Sequence, residues 1–204
     1  PDAECGYRAA AAASAITPSE GNAGAGAGAT VGKLAGMSRA MKGGIGTASI
    51  RRADGLVVGA LIAVNALGDV IDPSTGRVIA GVRTEDGDGL ADARALVRQS
   101  AASPSSSNTV IGVVATNAGL SKAQATKVAQ MAHDGLARAI SPAHTPWDGD
   151  TIFALATGQE GVEADVLEIG ALAAEAVSEA ILRAVRAAEG IPGFPSASDL
   201  TSSD

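Results

Sequence analysis

Thr109-Val110-Ile111-Gly112-Val113-Val114-Ala115-Thr116 is a β-branched, apolar run that starts abruptly after a Ser-rich, linker-like stretch ending in Pro104-Ser105-Ser106-Ser107-Asn108. A run of this kind bounded by turn formers reads as a buried strand. Its first residue is a hydroxyl amino acid, and breaking the Asn108-Thr109 bond would make that residue a new N-terminus. A threonine so exposed carries its own base. An α-amino group with a pKa near 7.7 is roughly one-sixth free base at pH 7, whereas a lysine near 10.4 offers well under about a thousandth. Hydroxyl and proton acceptor then sit on one residue. Asn-Thr pairs after flexible loops are nevertheless common, and most simply begin a strand.

A second segment adds weight to the junction. In Asp148-Gly149-Asp150-Thr151-Ile152-Phe153-Ala154-Leu155-Ala156-Thr157 two carboxylates immediately precede another apolar strand. Side chains two apart in an extended chain point the same way, so Asp148 and Asp150 are expected to face a common point. Gly149 between them leaves room for a substrate or another backbone. Paired carboxylates near an amine hold it, orient it and help pass protons. A solvated turn or a cation site is the competing reading of the same residues.

Four segments taken in order resemble a known family: Gly24-Ala25-Gly26-Ala27-Gly28-Ala29-Thr30-Val31-Gly32-Lys33, Val64-Asn65, Asn108-Thr109-Val110-Ile111, and His144-Thr145-Pro146-Trp147-Asp148-Gly149-Asp150-Thr151-Ile152-Phe153. They look like the self-processing amidases related to L-aminopeptidase D-amidase/esterase, and within that group like the nylon-oligomer (6-aminohexanoate-oligomer) endo-hydrolases. The resemblance implies that a precursor breaks at Asn108-Thr109 and that the two chains, residues 1–108 and 109–204, stay associated as one domain. It implies Thr109 as nucleophile, Asn65 as a side-chain donor to the oxyanion, Lys33 as a lysine lining the site, and Asp148 with Asp150 as the acidic pair. Serine-type aminopeptidase relatives carry a Ser and a Glu at that pair, so these positions side with the nylon-hydrolase branch. The resemblance also implies that Pro1 falls inside the larger subunit, with part of the fold and some substrate-binding residues outside this chain, and that the enzyme is a homo-tetramer.

Lys33 closes a glycine-rich segment, yet a phosphate loop is excluded. The Gly-x-x-x-x-Gly-Lys-[Ser/Thr] pattern fails at Ala27 and at Leu34, and a dinucleotide fingerprint fails at Val31. Small residues here instead let the backbone pass close to the nucleophile, with Lys33 donating a charged hydrogen bond. Apart from the resemblance it reads as a surface lysine.

The 204 residues suffice for one compact domain with a substantial core, and an aromatic share of 2% leaves the packing to Ala, Val, Ile and Leu. A net charge of -7 with scattered Lys and Arg argues against nucleic acid and against anionic substrates. One cysteine, Cys5, excludes an internal disulfide and suits a reducing, cytoplasmic location. No signal peptide or membrane-spanning run is read, and no cofactor or metal is expected.

Along the chain, residues 2–16 are Ala-rich and predicted helical, and a loop with Pro18 and many glycines runs to about residue 46. Strands are predicted at 47–51, 56–65 and 78–82, the last after a turn at Asp72-Pro73-Ser74-Thr75-Gly76. Residues 90–107 drift into Ser and Ala and are expected to be mobile. Ser121-Lys122-Ala123-Gln124 is a capping box for a helix to about residue 140, with Val128, Met131, Ala132 and Leu136 on its apolar face. A second helix over 164–188 places Leu167, Leu172, Val177, Ile181 and Val185 along one stripe and ends at Gly190, Pro192 and Pro195. His133 reads as a helix-boundary residue, and His144, beside the acidic box, as a supporting one. Periodicity alone supports a mixed α+β fold; the resemblance implies a four-layer αββα sandwich.

The reaction expected is hydrolysis of linear amides or peptide-like oligomers through an ester on Thr109. Its rivals are an acyltransferase of the ornithine acetyltransferase kind, a strict aminopeptidase, and a relative that folds without processing.

Overall fold

The computed structural model describes residues 2–99, 108–158 and 162–201. In chain order its helices and strands are α1 (Ala3–Ala11), β1 (Thr30–Val31), β2 (Met41–Lys42), β3 (Gly44–Arg51), β4 (Val57–Asn65), β5 (Asp69–Ile71), β6 (Val78–Ala80), α2 (Ala93–Arg98), β7 (Thr109–Thr116), α3 (Lys122–Ala139), β8 (Ile140–Ser141), β9 (Thr151–Ala156), α4 (Val166–Arg186) and α5 (Ala197–Thr201). The mixed α+β class expected from the sequence is the one observed.

The main sheet has the order β3-β4-β7-β9. β3, β4 and β7 run antiparallel and β9 joins β7 in parallel. The strand that opens at Thr109 is therefore internal to the sheet, as its apolar run predicts. β4 alternates strictly: Val58, Ala60, Ile62 and Val64 are buried beneath the helices, and Gly59, Leu61 and Ala63 face the other way. Val110 and Val114 of β7 continue the buried face. Each such Val or Ile taken from water contributes about 1.5–3 kcal/mol before the entropy of ordering it. The buried cluster of described residues is aliphatic throughout, with Met41 its one sulfur-bearing member.

α4 lies on β3 and β4, and α3 packs against α4 and β9. Close approach requires glycine: a Cβ on Gly46 would sit 2.1 Å from the Ala180 carbonyl oxygen. This contact explains why β3 begins at Gly44 and not at residue 47, because Gly44 and Gly46 belong to the strand that carries the helix. α3 starts at the expected box: the Ser121 hydroxyl accepts from Gln124 N and the Gln124 side chain accepts from Ser121 N. α4 carries a second box at Asp165 and Glu168 that the sequence reading did not name.

Several boundaries differ from expectation. α1 covers nine residues, capped by Asp2, and every residue is exposed among the described residues, where alanine propensity and the cap support the helix. Leu167 is 70% exposed, while Ile169, Ala173, Val177, Ile181 and Val185 take the inward positions of α4. β6 ends at Ala80. Within the segment expected to be mobile, residues 93–98 form α2. Asp69 holds it in place, accepting from Val82 N at 2.8 Å and from Ala93 N at 2.6 Å. Burial pushes the Asp69 carboxyl up to about 6. The remainder of that segment, from residue 100 to 107, lies outside the described residues.

The face of the main sheet opposite the helices presents Leu61, Ile111, Phe153 and Leu155, all exposed. In a four-layer αββα arrangement an opposing sheet packs on that face. The described residues supply one helix layer and the main sheet beneath it, together with two smaller sheets, β1-β2 and β6-β5-β8. They contain no helix long and apolar enough to cross a membrane.

Candidate active site

Thr109 is the first residue of β7 and lies in register with Asn65, the last residue of β4. Cross-strand partners share a face, so the two side chains stand together on the side away from the helices. Asn108, immediately upstream, is buried and pairs with Asp148 in a parallel bridge. Its carbonyl oxygen accepts from Gly149 N at 3.0 Å and also from the Thr109 hydroxyl. The carbonyl of the Asn108-Thr109 peptide is thus held between a backbone donor and the hydroxyl of the next residue. A Cβ on Gly149 would lie 2.8 Å from Thr109 Oγ1, so only glycine lets the acidic loop run this close. The Gly149 donor was missed from sequence because backbone N–H groups carry no residue signature.

The glycine-rich segment arrives from the other side. Lys33 is 1% exposed, and its Nζ donates to Asn65 O at 3.0 Å and to Asn65 Oδ1 at 2.9 Å. Thr30 N also donates to Asn65 Oδ1, at 3.1 Å. These donors identify the oxygen end of the Asn65 amide and direct its NH2 end away from the lysine. Burial pushes the Lys33 ammonium down to about 8, and the charge of Asp148 partly offsets that fall. Lys33 is thus a buried group holding the asparagine and not a surface lysine.

Lys42, which no motif marks, is fully buried. Its Nζ donates to the carbonyls of Gly26 at 2.7 Å, Ala29 at 3.0 Å and Gly43 at 3.0 Å, and burial lowers its pKa. It clips the glycine-rich loop onto the start of β3. The sequence signal is slight: a lysine between Met41 and the Gly43-Gly44 pair, where flanking glycines permit close backbone approach.

The two carboxylates do not converge on one point. Asp148 accepts from Leu67 N at 3.4 Å and from Thr145 N at 3.1 Å. Asp150 accepts from Val110 N at 2.9 Å through Oδ1, and through Oδ2 from His144 Nδ1 at 2.9 Å and His144 N at 3.3 Å. The reason is the strand pairing. The bridge at Asn108 and the parallel alignment of β9 turn both side chains toward backbone donors of neighbouring segments. His133 is half-buried on α3 with its ring centroid 4.9 Å from that of His144; burial lowers its pKa, and the neighbouring imidazole adds to the effect. A cleft of about 450 Å³, lined by Ala25, Gly28, Leu61, Asn65, Thr109 and Ile111 among others, opens beside Thr109.

The fold recurs in solved proteins. The fold matches a Burkholderia sp. β-aminopeptidase with a TM-score of 0.62 and 29% identity, over 89% of this chain and 50% of that one. It also matches the L-aminopeptidase D-Ala-esterase/amidase of Ochrobactrum anthropi, described as a variant of the Ntn (N-terminal nucleophile) hydrolase fold. That TM-score is 0.59 at 21% identity, over 90% of this chain and 51% of the other. The architecture is therefore that of the Ntn hydrolases. More particularly, residues 2–198 match the model of peptidase family S58, and the chain belongs to that family.

An uncharacterized aminopeptidase of Mycobacterium leprae is 44% identical over 96% of this chain and 58% of its own length. One from Mycobacterium tuberculosis is 40% identical over 98% of this chain and 62% of its own. The 6-aminohexanoate-oligomer endohydrolase of Kocuria sp. is more distant, 30% identical over 82% of this chain and 51% of its own. The chain thus spans about 60% of the length of the mycobacterial relatives (62% and 58%).

Proposed function

We propose that this chain carries the nucleophile of a self-processing amidohydrolase, cleaved between Asn108 and Thr109 into residues 1–108 and 109–204 of one domain. The supporting observation is the Asn108 carbonyl, held by Gly149 N–H with the Thr109 hydroxyl against it. In processing, Thr109 Oγ1 bonds to that carbonyl carbon while Gly149 N–H stabilises the oxyanion. The hydroxyl proton passes to the departing nitrogen, the C–N bond breaks, and an ester links Asn108 to Thr109. Water then hydrolyses the ester, leaving the Asn108 carboxylate and a free Thr109 amine.

In the mature enzyme the Thr109 hydroxyl attacks a substrate amide and the Thr109 amine takes its proton and returns it to the leaving nitrogen. The Asn65 NH2 group, set by Lys33 and Thr30, donates to the oxyanion. Water clears the acyl-enzyme, releasing the acid. Asp148 and Asp150 keep the acidic side of the site beside the first peptides of β7. The substrate is a linear amide or peptide-like oligomer whose apolar acyl part lies along the cleft of Leu61 and Ile111. The two processed chains remain partners in a homo-tetramer, and one cysteine suits a cytoplasmic setting.

The higher identity to proteins named aminopeptidases favours a second reading, in which a free substrate N-terminus is required. One assay separates the two. The full-length protein is offered amide oligomers with free and with acylated amino ends, alongside Thr109→Ser and Thr109→Ala. Hydrolysis of both oligomers by wild type and Thr109→Ser supports the endo-amidase, and hydrolysis of free-ended oligomers alone supports the aminopeptidase. Wild-type turnover by Thr109→Ala contradicts both.

A further inference from the structure

We infer that His144 is a positioning residue of this site, acting through Asp150 on the peptide that follows Thr109; the inference rests on Thr109 being the nucleophile. The Asp150 side chain is only 5% exposed, so its charge depends on protein donors more than on water. One oxygen takes Val110 N, from the residue next to Thr109, and the other takes both the backbone N–H and the ring Nδ1 of His144. The carboxylate is a bridge, and His144 fills one whole end of it.

Aiming both donors at a single oxygen has a conformational cost. His144 sits at φ +54°, one of two non-glycine described residues at positive φ. That region is unfavourable for an L-residue, and glycine or asparagine adopts it more easily. A turn alone would be better served by either. What histidine adds is the ring donor, and α3 supports the ring from behind through His133. Donation to a carboxylate requires a proton on Nδ1. His144 is not among the residues that line the cleft, and the backbone donor to the Asn108 carbonyl is Gly149 N. Its effect on chemistry therefore runs through Asp150 and Val110 N, which together fix where the amine and hydroxyl of Thr109 stand.

Three variants of the full-length enzyme test this. His144→Gly keeps the backbone conformation and its N–H but lacks the ring donor, and His144→Asn restores a side-chain donor at the Nδ1 position while tolerating positive φ. His144→Gly is expected to lower kcat by about tenfold with KM within about twofold, and His144→Asn to recover to within about threefold of wild type. Unchanged kcat in His144→Gly, or a loss that His144→Asn does not rescue, overturns the inference. The third, Thr109→Ala, gives a readout free of turnover. In its imidazole nitrogen-15 spectrum, His144 is expected to carry a proton on Nδ1, and a His144 whose Nδ1 carries none overturns the inference even where Thr109 is shown to be the nucleophile. Wild-type protein that never cleaves defeats the nucleophile assignment instead, and does not bear on the ring.

Discussion

Two arms close on Thr109, and they are anchored by opposite chemistry. The glycine-rich arm is held by buried ammonium groups that donate to carbonyls: Lys33 to Asn65, and Lys42 to Gly26, Ala29 and Gly43. The acidic arm is held by carboxylates that accept from backbone N–H groups: Asp148 from Leu67 and Thr145, Asp150 from Val110 and His144. The difference shows how a site can place a cation and anions around one residue without pairing them directly. Each charge is met largely by backbone dipoles, and at Lys33, Asp148 and Asp150 a neutral or imidazole side chain completes the set, Asn65, Thr145 and His144 in turn, so these groups are held in place by the protein itself.

The comparison breaks most sharply at Asn65, the side chain proposed as the oxyanion donor. Asn65→Ala is expected to lower kcat about a hundredfold or more, measured on amide substrate at saturation. Removing the ammonium that holds Asn65 tests the arm itself. Lys33→Met is expected to lower kcat about tenfold, since both charged hydrogen bonds to Asn65 are lost. It also has a pH signature. With Lys33 at about 8 in the folded protein and 10.5 ordinarily, the unfolded chain holds more protons between those values. The Lys33 contribution to unfolding free energy therefore rises with pH across that window. Wild type should show that rise in denaturant melts, and Lys33→Met should lack it.

Lys42→Met asks whether the carbonyl cradle is structural. Three buried carbonyls lose a donor, and a loss of about 2 kcal/mol is expected in the unfolding midpoint. A melt within about 0.5 kcal/mol of wild type would show the cradle to be dispensable. The smallest effect couples the two arms. Because the Asp148 charge raises Lys33, Asp148→Asn should move Lys33 further below about 8 in an NMR titration of the lysine amines. An unmoved Lys33 would mean that the arms act independently.

Much of this was legible in the chain before its structure, and the limits follow from physics. The Thr109 strand declares itself because a β-branched, apolar run bounded by turn formers reads as a strand; β7 is internal to the sheet, with one face buried and the other, at Ile111, exposed. Ser121 and Gln124 declare a helix start because a capping box is local. The site's convergence is a different matter. That Gly149 faces Asn108 depends on the parallel pairing of β9 with β7, a contact across some forty positions that no local pattern encodes. Asp148 and Asp150 look from their spacing like a convergent pair, and the same pairing sends them to separate donors. Lys42 has the local sequence of a surface lysine; only the folded loop supplies its three carbonyls. α1 shows the reverse limit, since alanine content predicts a helix but not that none of its residues is buried among the described residues.

The central claim is that Thr109 becomes an N-terminus. Denaturing mass spectrometry of the purified full-length protein, beside its Thr109→Ala variant, tests this directly. The account predicts two masses for wild type, the smaller being the chain from Thr109 onward, and a single uncut mass for Thr109→Ala. Active wild-type protein with one full-length mass, or Thr109→Ala cut at the same bond, would contradict it.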